Sequence, residues 1–141
     1  MNVLVDTSVW SVALRRDAEK LSEFEHAIRQ DLADLTTDVR VRILGPIRQE
    51  LLSGIRNPSQ FRAVRDDLRE FPDVPLSIDD WEAAAESNNS CRAAGIAGSA
   101  VDFLLCAVAI RRDWEIFTTD SDFQHYARVL PLRLRAQPRR S

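Results

Sequence analysis

The sequence predicts an α/β domain in which helices cover both faces of a parallel sheet. Three observations predict it. Short apolar runs close on an acid, NVLV before Asp6 and EIFTT before Asp120. Between them lie longer segments whose apolar residues recur at helical spacing. One further segment, VDFLLCAVAI, is apolar at every position except Asp102. Strands that alternate with helices imply crossover connections and a buried parallel sheet, and a helix apolar nearly all round belongs in the interior.

Taken in order, residues 2–5 form a short buried strand ending at Asp6, and residues 7–14 turn helical. Leu21, Phe24, Ile28, Leu32 and Leu35 then mark one face of an amphipathic helix. Residues 39–44, VRVRIL, alternate like a strand until Gly45-Pro46 breaks them and opens a helix with proline in its first turn. That helix carries Glu50 and ends near Gly54. Asn57-Pro58 starts another, with Phe61, Val64, Leu68 and Phe71 as its inner stripe and Arg62, Arg65 and Arg69 one residue behind on a single flank.

Pro72 and Pro75 bracket DVPLS, a candidate third strand. Residues 78–94 are helical in composition, although Ser87, Asn88, Asn89 and Ser90 put the continuity of that helix in question. Residues 95–98 form a loop, and Ser99 followed three residues later by Asp102 resembles a capping box for the buried helix. Residues 113–117 lead into a strand, TTDSDF turns into a short helix, and residues 129–134 make the last strand. No repeat, low-complexity tract or linker divides the chain, so residues 1–135 are expected to form one domain and residues 136–141 a basic tail.

Composition narrows the function. Hydrophobic content of 45% with 29% charged residues fits a globular core, and no apolar run approaches the ~20 residues needed to span a bilayer. The start, MNVLVDTSVW, has no basic region ahead of its apolar residues, so no secretory leader is expected. Cys91 and Cys106 form no CxxC pattern and fit a reducing compartment, so the expected location is cytoplasmic. Lys20 is the only lysine, which excludes a P-loop or Schiff-base mechanism elsewhere in the chain. Net charge is −3, yet residues 40–69 carry seven arginines against Glu50, Asp66 and Asp67.

The acids carry the chemistry. Binding sites in open parallel sheets lie beyond the carboxyl ends of the strands. Asp6 and Asp120 each directly follow a strand and so share that edge. Asp102, in the first turn of a helix running back against the strands, begins near it. Glu50 borders the stripe Ile47, Leu51 and Gly54 and is expected to face inward or sideways, and Asp122 is close enough in sequence to contribute a fifth carboxylate. Like charges gathered this closely need compensation, and Mg²⁺ or Mn²⁺ supplies it, because hard cations prefer oxygen ligands. Only two histidines are present, which argues against zinc. A carboxylate-held metal activates water for in-line attack on a phosphodiester.

Ordinary readings stand beside these. Asp6 and Asp120 also suit N-caps, Asp102 the acidic half of a capping box, and Asp122 a first-turn acid. Glu50 alone suits a surface helix, and the arginine flank a solvated face paired with Asp66 and Asp67. Two alternative functions follow: a phosphatase of the haloacid-dehalogenase type, and a silent partner-binding domain. The first is disfavoured because Asp6-Thr7-Ser8 lacks a second acid and no suitable lysine follows.

LVDTSVW, QELLSG, GSAVDFLLCAVAI and FTTDSDF, in that order, resemble the PIN-domain ribonucleases, and most closely the VapC toxins of type II toxin–antitoxin systems. The resemblance covers essentially the whole chain. It implies a three-layer α/β/α fold with a five-stranded parallel sheet, an acidic pocket binding Mg²⁺ (Mn²⁺ as substitute), and endonucleolytic cleavage of RNA. It places the four family acids on Asp6, Glu50, Asp102 and Asp120, with Asp122 as the additional acid. Asp6, Asp102, Asp120 and Asp122 would hold metal, Glu50 would orient or deprotonate water, and Thr7 and Thr118 would hydrogen-bond the carboxylates or the water. It further implies a homodimer and a cognate antitoxin that places an arginine among the acids, seated on the helices at residues 21–35 and 59–71. Arg62, Arg65, Arg69 and the basic tail are then candidate RNA-phosphate contacts.

Overall fold

β1 (Val3–Val5), β2 (Val41–Arg42), β3 (Glu115–Phe117) and β4 (Arg133–Leu134) form one all-parallel sheet in the order β2-β1-β3-β4. These come from a computed structural model describing residues 1–139; Arg140 and Ser141 of the basic tail lie outside the described residues. The chain runs from β1 to β2 on one side, then returns past β1 to place β3 on the other. That reversal opens a crevice beyond the carboxyl ends of β1 and β3. Val5 registers with Phe117, and the Asp6 amide donates to the Phe117 carbonyl at 2.9 Å, so the residues after both strands emerge side by side.

The described residues form four strands rather than five. DVPLS contributes only an isolated bridge from Asp73 to Ile43, with the Val74 amide donating to the Ile43 carbonyl at 3.0 Å. Pro72 and Pro75 have no N–H to donate and stop the ladder on either side.

The helices follow their sequence signals. α1 (Thr7–Trp10) continues into a π-helical turn at Ser11–Arg15. α2 (Glu23–Thr37) starts at a capping box between Ser22 and Glu25 and buries Phe24, Ile28, Leu32 and Leu35. α3 (Gly45–Ser53) has Pro46 in its first turn, and α4 (Pro58–Leu68) is capped by Asn57, whose side chain accepts from the Gln60 amide at 3.0 Å. α5 (Ile78–Ala93) is unbroken through the polar run that put its continuity in question. Asp80, Ala84, Ser87 and Cys91 make its buried stripe, while Asn89 and Ser90 fall on the exposed side. A polar run at helical phase costs such a helix little.

α6 (Ala100–Arg112) buries every residue from position 103 to 109, as its composition predicts. It runs antiparallel to the sheet and delivers its N-terminus to the crevice edge. α7 (Asp122–Tyr126) follows the β3 loop. No helix among the described residues is long and apolar enough to cross a membrane.

Candidate metal centre

Asp6 leaves β1 in extended conformation and its side chain is buried at the mouth of the crevice. Two hydroxyls converge on its Oδ2, Thr118 Oγ1 from beyond β3 and Ser8 Oγ from α1, each at 2.8 Å. Thr118 Oγ1 also accepts from the Asp120 amide at 3.0 Å, and Ser8 Oγ from the Thr119 amide at 3.0 Å. The loop carrying Asp120 is therefore folded onto Asp6 through two hydroxyl groups. Asp6 occupies an N-cap position, but its carboxylate makes no capping bond to α1.

Asp102 sits in the first turn of α6, where Ser99 Oγ accepts its amide at 3.1 Å. Its carboxylate does not close the capping box; Oδ2 instead accepts from the Tyr126 hydroxyl at 2.6 Å. Asp120 Oδ1 accepts from the Asp122 amide at 2.9 Å, which orients the entry to α7. Asp102, Asp120 and Asp122 each bring a carboxylate oxygen into a group whose members all lie within 4.8 Å of one another.

No cation offsets this charge. Among the described residues Asp6, Asp102, Asp120 and Asp122 form no salt bridge, although eleven are made elsewhere. Burial pushes the Asp6 carboxyl above its ordinary range against the pull of the Thr118 and Ser8 hydroxyls. Burial also raises Asp102, aided by the charges of Asp6 and Asp120 and opposed by the Tyr126 hydroxyl. The donor set is carboxylate oxygen alone, without histidine or thiolate, which fits a hard divalent cation.

The structure treats the other sequence candidates differently. Glu50 is exposed on α3 rather than turned inward, because Ile47 and Leu51 take the buried side, and it makes no side-chain hydrogen bond among the described residues. Thr7 does not bond the carboxylates: its Oγ1 is buried without a partner, and Ser8 supplies the α1 hydroxyl to Asp6. Arg65 and Arg69 lie near Asp66, at 3.0 and 3.9 Å, while Arg62 is exposed with no ion pair. Gln137, in the segment expected to be tail, donates to the Thr118 carbonyl. Ser8 and Tyr126 escaped sequence reasoning. Tyr126 is the chain's only tyrosine, and a buried tyrosine hydroxyl generally finds a partner.

A parallel sheet with a carboxylate-lined crevice at its switch point defines a class of metal-binding α/β proteins. The PIN domain family model matches residues 3–129, and the chain belongs to the PIN-domain family. Ribonuclease VapC11 of Mycobacterium tuberculosis H37Rv is 30% identical over 135 residues, 93% of this chain and 96% of that protein. VapC ribonuclease Mb1587 of Mycobacterium bovis matches to the same extent. Among solved structures, VapBC2 from Rickettsia felis, bound to a promoter DNA fragment, is similar with a TM-score of 0.76 at 17% identity, covering 98% of this chain and 100% of that one. FitAcB from Neisseria gonorrhoeae gives 0.72 at 17% identity, covering 95% and 96%.

Proposed function

We propose that this chain is a divalent-metal-dependent endoribonuclease, the toxin of a toxin–antitoxin pair, which hydrolyses RNA phosphodiester bonds in the cytoplasm. The observation that carries the reading is the cluster of Asp102, Asp120 and Asp122 beside buried Asp6, with no salt bridge to it among the described residues. The names of the VapC relatives supply the substrate class, RNA.

Asp102, Asp120 and Asp122 would hold Mg²⁺ or Mn²⁺, with Asp6 adding charge from below. The bound cation supplies Lewis-acid stabilisation of phosphoryl oxygen and a more acidic water. Ser8 and Thr118 keep the Asp6 carboxylate fixed, and Glu50, exposed on α3, would orient or deprotonate the attacking water. Arg62 and its neighbours Arg65 and Arg69 would meet RNA phosphates. An antitoxin seated along α2 and α4 would present a cationic side chain to the same anionic pocket, and a homodimer would be the working unit.

The test is cleavage of labelled RNA by the purified chain with Mg²⁺ or Mn²⁺. EDTA is expected to stop it, and Asp6→Asn or Asp102→Asn to lower the rate by about 100-fold or more, at or beyond the upper end of losses caused by disturbing a metal ligand's surroundings. Undiminished cleavage by the double variant overturns the proposal.

A further inference from the structure

We infer that Tyr126 is a positioning residue for the metal centre, orienting Asp102 through its hydroxyl, and that Gly98 is required because it leaves the space this hydroxyl crosses. The inference rests on reading the acid cluster as a metal site. Tyr126 is completely buried, and its hydroxyl donates to Asp102 Oδ2 at 2.6 Å. Its ring, carried by α7, packs across to α6. Phe103, next to Asp102, packs at 5.0 Å between ring centroids, and Phe123, next to Asp122, at 5.2 Å in an edge-on arrangement. The Phe103 contact and the Asp102 hydrogen bond thus tie α7 to the start of α6 through one side chain.

Gly98 supplies a second, independent observation. A Cβ built there would lie 2.4 Å from the Tyr126 hydroxyl oxygen and 2.8 Å from two carbons of its ring. Those are distances at which the neighbour must move. Its backbone is not in the left-handed region, which only Gly95 occupies among the glycines. Conformational freedom therefore does not explain glycine at this position, whereas the path of the tyrosine does. The backbone at position 98 is bare where the phenol lies against it.

The physical need is clear from the carboxylate. Rotation about the terminal torsion of an aspartate is soft and broad. A metal ligand gains from a fixed donor that selects one orientation, and partners of this kind commonly govern metal affinity. Tyr126 supplies that donor from a packed, immobile ring. It also leaves a carboxylate with lone pairs to spare, since two oxygens offer about four acceptor sites. It touches no reacting atom in this arrangement and acts through Asp102.

The experiment is calorimetric titration of the full chain with Mn²⁺, alongside thermal unfolding of the metal-free protein. Tyr126→Phe keeps the ring and removes only the hydroxyl; it is expected to weaken Mn²⁺ binding about 10-fold, the lower end of the range for such partners. Gly98→Ala is expected to weaken it in the same direction by displacing the phenol, and to add less in the Tyr126→Phe background than it costs alone. A merely structural tyrosine would lower the melting temperature of the metal-free Tyr126→Phe protein and leave Mn²⁺ affinity at the wild-type level, and that result overturns the inference alone. Failure of the wild-type protein to take up Mn²⁺ overturns the metal-site reading and this inference with it. Should Gly98→Ala not fold, the Tyr126→Phe affinity still decides.

Discussion

Two acidic sites in this domain, one fully buried and one opening to solvent, have opposite surroundings. At the far end of α6, Asp80 accepts from Arg111 Nε at 3.0 Å and from both ends of the Arg112 guanidinium at 2.9 and 3.1 Å, with the Ser77 amide at 2.9 Å completing its shell. The Arg112 guanidinium, also lying over Trp114, holds the Asp80 carboxyl well below the ordinary carboxylate range. At the near end of the same helix, Asp102 and its neighbours have hydroxyls and amides but, among the described residues, no salt bridge, and Asp6 and Asp102 are pushed upward. The chain is rich in arginine, so the missing counter-charge is not a matter of supply. One acid ties α5 to α6; the others are left with charge for something outside the protein to balance.

The largest expected effect breaks the paired site. Asp80→Ala would leave two arginines facing a space without its anion. Removing one partner of a buried pair costs about 3–5 kcal/mol, and because both guanidinium groups keep some solvent contact the loss here should be about 2–3 kcal/mol. Urea unfolding of the metal-free protein measures it. A loss below about 0.5 kcal/mol would mean that Asp80 behaves as a surface acid and the contrast is empty.

The unpaired site should respond with the opposite sign. In EDTA, Asp102→Asn removes a carboxylate that burial and the Asp6 and Asp120 charges make costly. The variant is expected to be more stable than wild type in urea unfolding, because the raised carboxyl pKa marks a charge the folded state disfavours. Saturating Mn²⁺ should reverse the ranking, since a ligand at 100 times its Kd adds about 2.7 kcal/mol to the protein that binds it. Failure of the ranking to reverse would show that the acids do not hold the ion.

A pH series sharpens the same contrast. Asp102 has a folded pKa raised above its ordinary 3.8. Its folded form therefore binds more protons than the unfolded chain through that window, and stability falls as pH rises across it. The advantage of Asp102→Asn over wild type in EDTA should be near zero at pH 3.8 and below, and open as pH rises through the elevated value. Asp80 runs the other way. Its folded pKa is depressed, so its contribution is present above 3.8 and fades as acid protonates it. The cost of Asp80→Ala should accordingly shrink in acid, and parallel pH slopes for the two variants would contradict the opposed shifts.

The sequence makes the near site legible because each acid is attached to a feature with its own signal. Asp6 ends an apolar strand run, Asp120 follows another, and Asp102 interrupts an apolar helix. Strand ends in a parallel sheet share an edge, so order along the chain becomes neighbourhood in space. Tyr126 and Gly98 were not legible, since their pairing depends on how α7 lies against the loop before α6, which no local period encodes. Glu50 lies on the exposed side for a related reason: a residue beside an apolar stripe is placed in or out by a small helix rotation that tertiary packing sets. DVPLS falls short of a fifth strand because Pro72 and Pro75 remove amide donors on either side of Asp73 and Val74.

The smallest expected effect concerns the arginines of α4. Exposed ion pairs are worth about 0–1 kcal/mol, so Arg65 and Arg69, which lie beside Asp66, have part of their charge already answered. Arg62 is exposed and forms no salt bridge among the described residues. If this flank meets phosphates, Arg62→Ala should weaken RNA binding a few-fold and lower the salt slope by about 0.7, the share of one single-strand phosphate contact, while Asp66→Ala should strengthen binding by freeing Arg65 and Arg69. Anisotropy titrations across a range of salt concentrations, in EDTA so that cleavage does not intervene, separate the two outcomes. Equal, slope-neutral behaviour of Arg62→Ala and wild type would place the RNA path elsewhere on the crevice rim, and would leave the arginines of α4 as a solvated face set apart from the acids.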